Sequence, residues 1–328
     1  MNNGETQTRN YKRIIGWGLV LLIVVGFWAV RQPSVRDLWL GMGYQADEKV
    51  KRIEDDLELT TSAQRIFAAT RPSLEGKEEF NTHCENRGGE VSLLGCYTGG
   101  RIYVYEITDE QLATANEVTM AHELLHAVWE RLGDGEREML SELLEKLYED
   151  KRDWFDDELT AYSEAEKIEE IYARAGTKLK ELPEDLEKHY TKFFQNRGKI
   201  VQAYEDYETP FLALKVELTE LAATIERVNG EIENERAVYL ADVERLDAEI
   251  GQFNDCADIA GCFASQSEFE GRRAVLAGRK DALEDVREGL NQKITANNER
   301  IDNYRERQMA LGELNDAMDS RLSEIEEL

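Results

Sequence analysis

The stretch Met120–Leu132, MAHELLHAVWERL, decides the fold, because it places two of the chain's four histidines on one apolar helix. Its apolar residues recur at helical spacing, and the pattern stops at Gly133. His122 and His126 are one helical turn apart, so their imidazoles lie on the same face. The stretch therefore predicts a buried helix that presents two nitrogen ligands to one point.

Two imidazoles on one face suit Zn²⁺, which takes nitrogen ligands at about 2.0–2.1 Å in a tetrahedral arrangement. Glu123 follows the first histidine, so its carboxylate flanks the ion rather than filling a coordination position. From there it can accept a proton from a water molecule whose pKa the metal lowers towards about 7. The alternative is a buried helix that carries two structural histidines and no metal.

The H-E-x-x-H pattern formed by His122, Glu123 and His126 resembles the active-site helix of the zincin metallopeptidases. This resemblance implies a Zn²⁺ cofactor, a protein or peptide substrate, and an upstream edge strand that lines the cleft and pairs with the substrate. The stretch that best matches this strand is Arg101–Ile107. The resemblance covers roughly residues 80–210, and only the H-E-x-x-H motif is specific.

A zincin site needs a third protein ligand. The metzincin continuation, with a glycine and a third histidine close behind the motif, is absent from HELLHAVWERLGDG. The gluzincin group takes a glutamate from a later helix, and EEIYARAGT is similar to its N-E-x-x-[AS] pattern, with Glu170 as the ligand. Glu169 stands at the family's asparagine position, which is a departure. Glu166 is the main rival, and Glu158 and Glu164 are further candidates.

The resemblance also implies a residue that stabilises the oxyanion of the tetrahedral intermediate, because gluzincins use a downstream His, Tyr or Arg for this purpose. The stretch LEKHYTKFFQNR offers His189, Tyr190 and Arg197. His189 and Tyr190 are the preferred catalytic candidates because they begin the helix that follows Pro183. The alternative is that both are ordinary surface and core residues.

An uncharged apolar run, Ile14–Val30, is just long enough to cross a hydrocarbon core as a helix, with Trp17 and Trp28 as interfacial anchors. Basic residues precede it, so the positive-inside rule leaves residues 1–13 in the cytoplasm. We therefore expect a single-pass protein of the cell membrane that contacts the lipid bilayer through one transmembrane helix. The bulk of its chain would be extracytoplasmic.

A cleaved signal peptide is the alternative to this signal-anchor. The bulky residues Phe27 and Trp28 stand where a small-x-small cleavage site would be expected, which favours the uncleaved anchor.

The four cysteines agree with an external location, because they form two close pairs in an exported chain. We predict the disulfides Cys84–Cys96 and Cys256–Cys262. A zinc site built from these thiols is less favoured, since neither pair has the two-residue spacing of a zinc knuckle.

Composition adds two limits. The net charge of −28 argues against a nucleic-acid partner, because phosphate backbones recruit positive surfaces, and its ordinary meaning is solubility. Only four prolines in 328 residues, with abundant Glu, Leu, Ala, Lys and Arg, indicate a mostly helical protein.

Local patterns place the smaller elements. Gly-Gly turns and the β-rich run Arg101–Thr108 predict a small antiparallel sheet of two or three strands. A helix capped by Thr60 or Thr61 should end before Pro72. Another helix should run from about residue 156 to 175, ended by Gly176.

The last third of the chain predicts an antiparallel coiled-coil hairpin, because heptad-spaced apolar positions flank the Cys256–Cys262 loop. Asn297 falls on the second seam and would fix the register. Apolar partners between the seam positions include Val286, Ile294, Ile301 and Leu322. The alternative is two amphipathic helices packed on the globular domain.

The fold class expected is α+β and mostly helical. The organisation expected is a cytoplasmic N-terminus (1–13), a transmembrane helix (14–30), juxtamembrane helices (31–79), a zincin-like domain (80–210) and the hairpin (211–328).

The function expected is a membrane-anchored, extracytoplasmic zinc metallopeptidase, with the hairpin available for partner binding or self-association. The alternative is a non-catalytic envelope adaptor with a degenerate zincin-like domain.

Overall fold

The computed structural model describes residues 33–84, 93–159 and 162–322. The chain forms two compact units, one built from residues up to Pro210 with the returning segment from Leu314, and one from Phe211–Glu313. Together they are mostly helical with one small sheet, as the sequence predicts.

The described helices are α1 Pro33–Gly41, α2 Glu48–Asp56, α3 Thr61–Thr70, α4 Lys77–His83, α5 Ala115–Arg131, α6 Asp134–Asp150, α7 Arg152–Leu159, α8 Glu164–Lys178, α9 Glu184–Tyr190, α10 Arg197–Ala257 and α11 Gln266–Ala317. The strands are β1 Ser73–Glu75, β2 Gly95–Thr98 and β3 Arg101–Tyr105. Both long helices cross the boundary between the two units.

The predicted transmembrane segment, Ile14–Val30, lies outside the described residues. Within the part of the chain that the structure describes, no helix combines the length and the apolar character needed to cross a membrane.

The first unit has one main core, with α5 at its centre. Met120, Leu124 and Leu125 of α5 are fully buried, because the helix is covered by neighbours on most of its surface. Residues of α2 and α3 belong to the same core as the later helices. The structure therefore shows no boundary between units at residue 80, where the juxtamembrane segment was expected to end.

Helix α3 begins as predicted. Thr60 is the N-cap, and its side chain accepts a hydrogen bond from the Ala63 backbone N–H. The helix ends at Thr70, before Pro72.

The sheet is mixed, with strand order β1–β3–β2, so the prediction of an antiparallel sheet is wrong for one of its two pairings. Strands β2 and β3 form an antiparallel hairpin, and Gly99 and Gly100 both adopt positive φ in its turn, a conformation that glycine adopts without steric cost. Strand β1 pairs in parallel with β3, because the intervening chain crosses back through α4 before the hairpin. β1 has only three residues, which are too few to show the alternation of apolar and polar residues that indicates a strand.

The helix predicted over residues 156–175 is two helices, α7 and α8. Gly176 lies inside α8 and does not terminate it. A Cβ atom at Gly176 would lie 2.4 Å from Leu125 Cδ1 and 2.7 Å from Tyr190 Cε1. Glycine is therefore needed here for close packing of α8 on α5, the contact that positions the candidate site.

The second unit is an antiparallel helical hairpin, as predicted. Residues that pair across the hairpin have rising numbers in α10 and falling numbers in α11. These pairs are Asn229 with Asn297, Glu235 with Lys293, and Glu249 with Arg279. Asn297 is buried, and its Nδ2 donates to Asn229 Oδ1 at 2.8 Å, as expected for a polar residue that fixes register.

Two of the apolar partners expected in the second heptad series are exposed instead. Val286 is 48% exposed within the hairpin, and Leu322 is 51% exposed in the returning segment of the first unit. Val286 lies off the seven-residue series, and the narrow contact between two helices leaves such positions in solvent. Leu322 follows the end of α11 at Ala317 and is therefore not part of the hairpin.

Both predicted disulfides form. The Cα atoms of Cys84 and Cys96 are 5.9 Å apart, and those of Cys256 and Cys262 are 5.4 Å apart. The first links the end of α4 to β2, and the second closes the turn between α10 and α11.

Glu117, in the first turn of α5, has a pKa raised to about 7 by its burial and by the nearby Asp56 and Asp206. Its folded-state pKa lies above the unfolded value, so its contribution to stability is complete at low pH and is lost as pH rises through about 7. We predict that Glu117→Gln raises the free energy of unfolding by about 1 kcal/mol at pH 8.5 and by much less at pH 5, where the folded chain keeps this carboxyl protonated.

Thermal unfolding of the full chain at both pH values measures this difference. The same change at the exposed Glu138 is the control and should have no pH-dependent effect. An equal shift at pH 5 and pH 8.5 in Glu117→Gln would show that ionisation of this carboxyl does not affect stability.

Candidate metal centre

Helices α5 and α8 bring three predicted ligands together: His122, His126 and Glu170. His122 Nε2 lies 3.1 Å from His126 Nε2. Glu170 Oε1 is 3.3 Å from His126 Nε2, and its Oε2 is 3.6 Å from His122 Nε2. Ligand atoms that each lie about 2.0 Å from a tetrahedral ion are about 3.3 Å apart, so this His-His-Glu group could hold a metal ion.

The side chains of this group are largely buried but not sealed. The histidine side chains are 17% and 13% exposed, and that of Glu170 is 10% exposed. Solvent therefore reaches part of each candidate ligand side chain. Such access is needed for catalysis and is unnecessary for a closed structural site.

Glu169, the residue before the carboxylate ligand, contacts the other nitrogen of His126. Its Oε1 is 2.8 Å from His126 Nδ1. A carboxylate at Nδ1 holds a proton on that nitrogen, so Nε2 is the atom that would bind a metal once its own proton is released. Glu169 is therefore a positioning residue, although it stands where the gluzincin pattern has asparagine.

Arg174 also binds the carboxylate of Glu170, at the oxygen that faces His122. Its Nε donates to Glu170 Oε2 at 3.2 Å, one turn further along α8. Arg174 is not among the site residues predicted from the sequence. The i,i+4 spacing of the two residues is the signal that could have found it.

His122 and Glu170 have the charge states that metal binding needs, whereas His126 would release a proton to an incoming ion. Burial lowers the pKa of His122 to about 4, which keeps this ligand neutral. Burial also lowers the pKa of His126, but its hydrogen bonds with Glu169 and Glu170 outweigh burial and raise it to about 10. Burial raises the pKa of Glu170, yet the two histidines hold it well below its usual range, so the carboxylate is ionised.

Glu123 lies beside the ligands and against the sheet. Its side chain is buried, and a Cβ atom added to Gly95 would approach its Cγ and Oε1 to 2.9 Å. The first residue of β2 must therefore be small for the strand to pack on α5 at this carboxylate. The structure thus places Glu123, which follows His122 in α5, against Gly95 of the edge strand β2.

The strand expected to receive substrate is not at an edge. β3 runs between β1 and β2, so both of its edges are already paired, and the prediction for Arg101–Ile107 is wrong. β2 is the strand at the edge nearest Glu123. The sequence does not show which of β2 and β3 lies at the edge, because the two strands of a hairpin have similar lengths and similar patterns of apolar residues.

The rival ligand Glu166 lies elsewhere. Its carboxylate accepts hydrogen bonds from the backbone N–H and the hydroxyl of Ser163, which completes a capping box at the start of α8. The side chains of Glu158 and Glu164 lie outside the described residues.

The structure does not bring the two predicted oxyanion residues to the metal group. Tyr190 is fully buried, and its hydroxyl donates to the Tyr172 carbonyl at 2.7 Å. His189 is 3% exposed, and its Nε2 lies 2.9 Å from the Tyr172 hydroxyl. Both residues pack α9 on α8, so a catalytic role for them is not supported.

Arg197, the further oxyanion candidate, is also structural. It pairs with Glu187, and it donates to the backbone carbonyl of Leu179 at 2.6 Å. These bonds join the start of α10 to the end of α8.

Comparison of the chain with protein-family models, with curated proteins and with solved structures gives no match.

Proposed function

We propose that the chain is a membrane-anchored, zinc-dependent peptidase that hydrolyses peptide bonds outside the cytoplasm. The observation that carries the proposal is the convergence of His122, His126 and Glu170, with Glu123 beside them at a sheet edge. Zinc is the ion that best suits two imidazoles and one carboxylate at these separations. When bound, it would polarise the scissile carbonyl and lower the pKa of water.

The residues of the chain have separate roles in this proposal. His122, His126 and Glu170 bind the ion, while Glu169 and Arg174 orient His126 and Glu170. Glu123 accepts the proton of the attacking water and passes it to the leaving amine.

Metal removal tests the proposal directly. The full chain is purified in detergent, its zinc content is measured, and cleavage of a labelled unstructured protein is followed before and after chelation. We expect one zinc per chain, loss of cleavage on chelation, and recovery when zinc is restored. A zinc-free protein, or cleavage that withstands complete chelation, would exclude the proposed chemistry.

The backbone of β2 offers a substrate-binding edge. The Tyr105 N–H donates to the Leu94 carbonyl, so residues 94, 96 and 98 direct their backbone groups to β3. Gly95 and Tyr97, which lie between these residues, direct their backbone N–H and C=O groups away from the sheet. An extended substrate that pairs with these two residues would run past Glu123, which is the strand-addition mode of peptide recognition.

Tyr97→Pro tests this edge, because proline removes the outward N–H and leaves the ladder with β3 intact. We predict a fall in kcat/KM of about tenfold relative to Tyr97→Ala, the value of one hydrogen bond to substrate. Tyr97→Ala is the matched control, since the tyrosine hydroxyl also contacts Glu130 and Arg131. Equal kcat/KM values for the two variants would show that substrate does not pair at this position.

A non-catalytic adaptor is the second candidate, favoured by the outward apolar side chains of the hairpin. Val238, Val275 and Met309 are each more than 60% exposed. An adaptor predicts a chain without zinc-dependent cleavage, so the metal-removal experiment separates the two functions.

A further inference from the structure

Helix α1 buries an acidic side chain and exposes several apolar ones. Its carboxylate residue, Asp37, is 3% exposed, whereas Leu38 and Trp39 are 61% and 71% exposed. Val35 and Met42 are also exposed. The four apolar residues have the spacing i, i+3, i+4 and i+7, so they form one continuous apolar face in solvent.

The orientation of α1 is fixed by a buried ion pair. Arg131, at the end of α5, donates through Nε to both carboxylate oxygens of Asp37 at 3.0 and 2.9 Å. The Arg131 side chain is 6% exposed, and its Nη1 also bonds the Ala127 carbonyl and the Tyr97 hydroxyl. A buried charge pair with this many bonds is costly to break, so α1 cannot rotate to bury its apolar face.

The chain that precedes α1 indicates what covers this face. The apolar run Ile14–Val30 ends three residues before Pro33, where α1 begins. A chain that leaves a hydrocarbon core at Val30 would enter α1 within the headgroup region. Tryptophan prefers that region, and helices with one apolar face lie in its plane.

We propose that the face formed by Val35, Leu38, Trp39 and Met42 docks on the lipid bilayer that the preceding segment enters. Helix α1 then lies in the membrane interface, with Asp37 directed inward to Arg131. This interaction surface rests on the membrane anchor of the proposed function, but it is independent of the metal and of the peptidase activity.

Membrane docking of α1 would also set the position of the metal group. Arg131 follows His126 by five residues and His122 by nine, which is about 8 and 14 Å along the axis of α5. The ion pair therefore connects the docked helix to the ligand-bearing helix over less than three turns. The metal ligands would be held near the membrane surface.

Spin labelling of the full chain in lipid nanodiscs tests the proposal. A nitroxide is attached to Met42→Cys, and its accessibility to lipid-soluble oxygen is compared with its accessibility to a water-soluble nickel chelate. Met309→Cys is the matched control, because Met42 and Met309 are 61% and 62% exposed. We expect oxygen to dominate several-fold at position 42 and the nickel chelate to dominate at position 309.

A second variant separates docking from folding. Leu38→Ser combined with Trp39→Ser changes only exposed side chains, so helicity should be unchanged while position 42 becomes accessible to nickel. Equal nickel accessibility at positions 42 and 309 in the otherwise unaltered chain would overturn the proposal. Protection that appears only in nanodiscs holding two copies would overturn it in favour of self-association.

Discussion

Replacement of Glu123 by glutamine is expected to lower kcat for peptide hydrolysis by about a thousandfold, with zinc still bound. Glutamine keeps the shape of the side chain between α5 and Gly95 but cannot accept the proton of the attacking water. Loss of a positioned general base typically costs two to four orders of magnitude in rate. Zinc content and kcat, measured on the same preparation, check both parts of the prediction.

Glu117→Gln is the matched control, because it neutralises another partly buried carboxyl of α5 that is not part of the metal group. It should leave kcat unchanged. Full activity in Glu123→Gln would show that another group accepts the proton, and the mechanism proposed for this site would then be wrong.

Replacement of Glu170 by alanine is expected to weaken zinc binding by more than about a hundredfold. This change removes the one anionic ligand, whereas loss of a residue that only orients a ligand typically costs ten- to a hundredfold. Glu169→Gln should therefore weaken binding by about tenfold, because it alters only the hydrogen bond to His126 Nδ1. Competition with a zinc chelator measures both affinities.

Glu166→Gln is the control for this series. Glu166 lies one turn before Glu170 on the same helix, but its carboxylate caps α8. It should bind zinc as the unaltered chain does. If Glu166→Gln lost zinc and Glu170→Ala retained it, the assignment of the third ligand would be contradicted.

The sequence predicts the ligand-bearing parts of the site well, because they depend on spacing within a helix. His122 and His126 lie on one face through their i,i+4 separation alone. Glu170 stands out by its place in EEIYARAGT, and the structure brings it to the two histidines. The disulfides and the hairpin also depend on local separations in the chain.

Features that depend on packing between distant segments are not visible in the sequence. Nothing local shows that Ser73–Glu75 pairs with β3 or that Gly176 faces Leu125. His189 and Tyr190 have the residue types of oxyanion donors, yet tertiary packing turns both towards Tyr172. The buried carboxylate of Asp37 is explained only by Arg131, distant in the chain.

X-ray absorption at the zinc edge, measured on the purified full chain, tests the central claim most directly. The account predicts one zinc with two imidazole nitrogens at about 2.0–2.1 Å, oxygen ligands in the same shell and no sulfur. The oxygen contribution should change in Glu170→Ala. A zinc-free chain, a sulfur ligand at about 2.3 Å, or a spectrum that is the same in Glu170→Ala would contradict it.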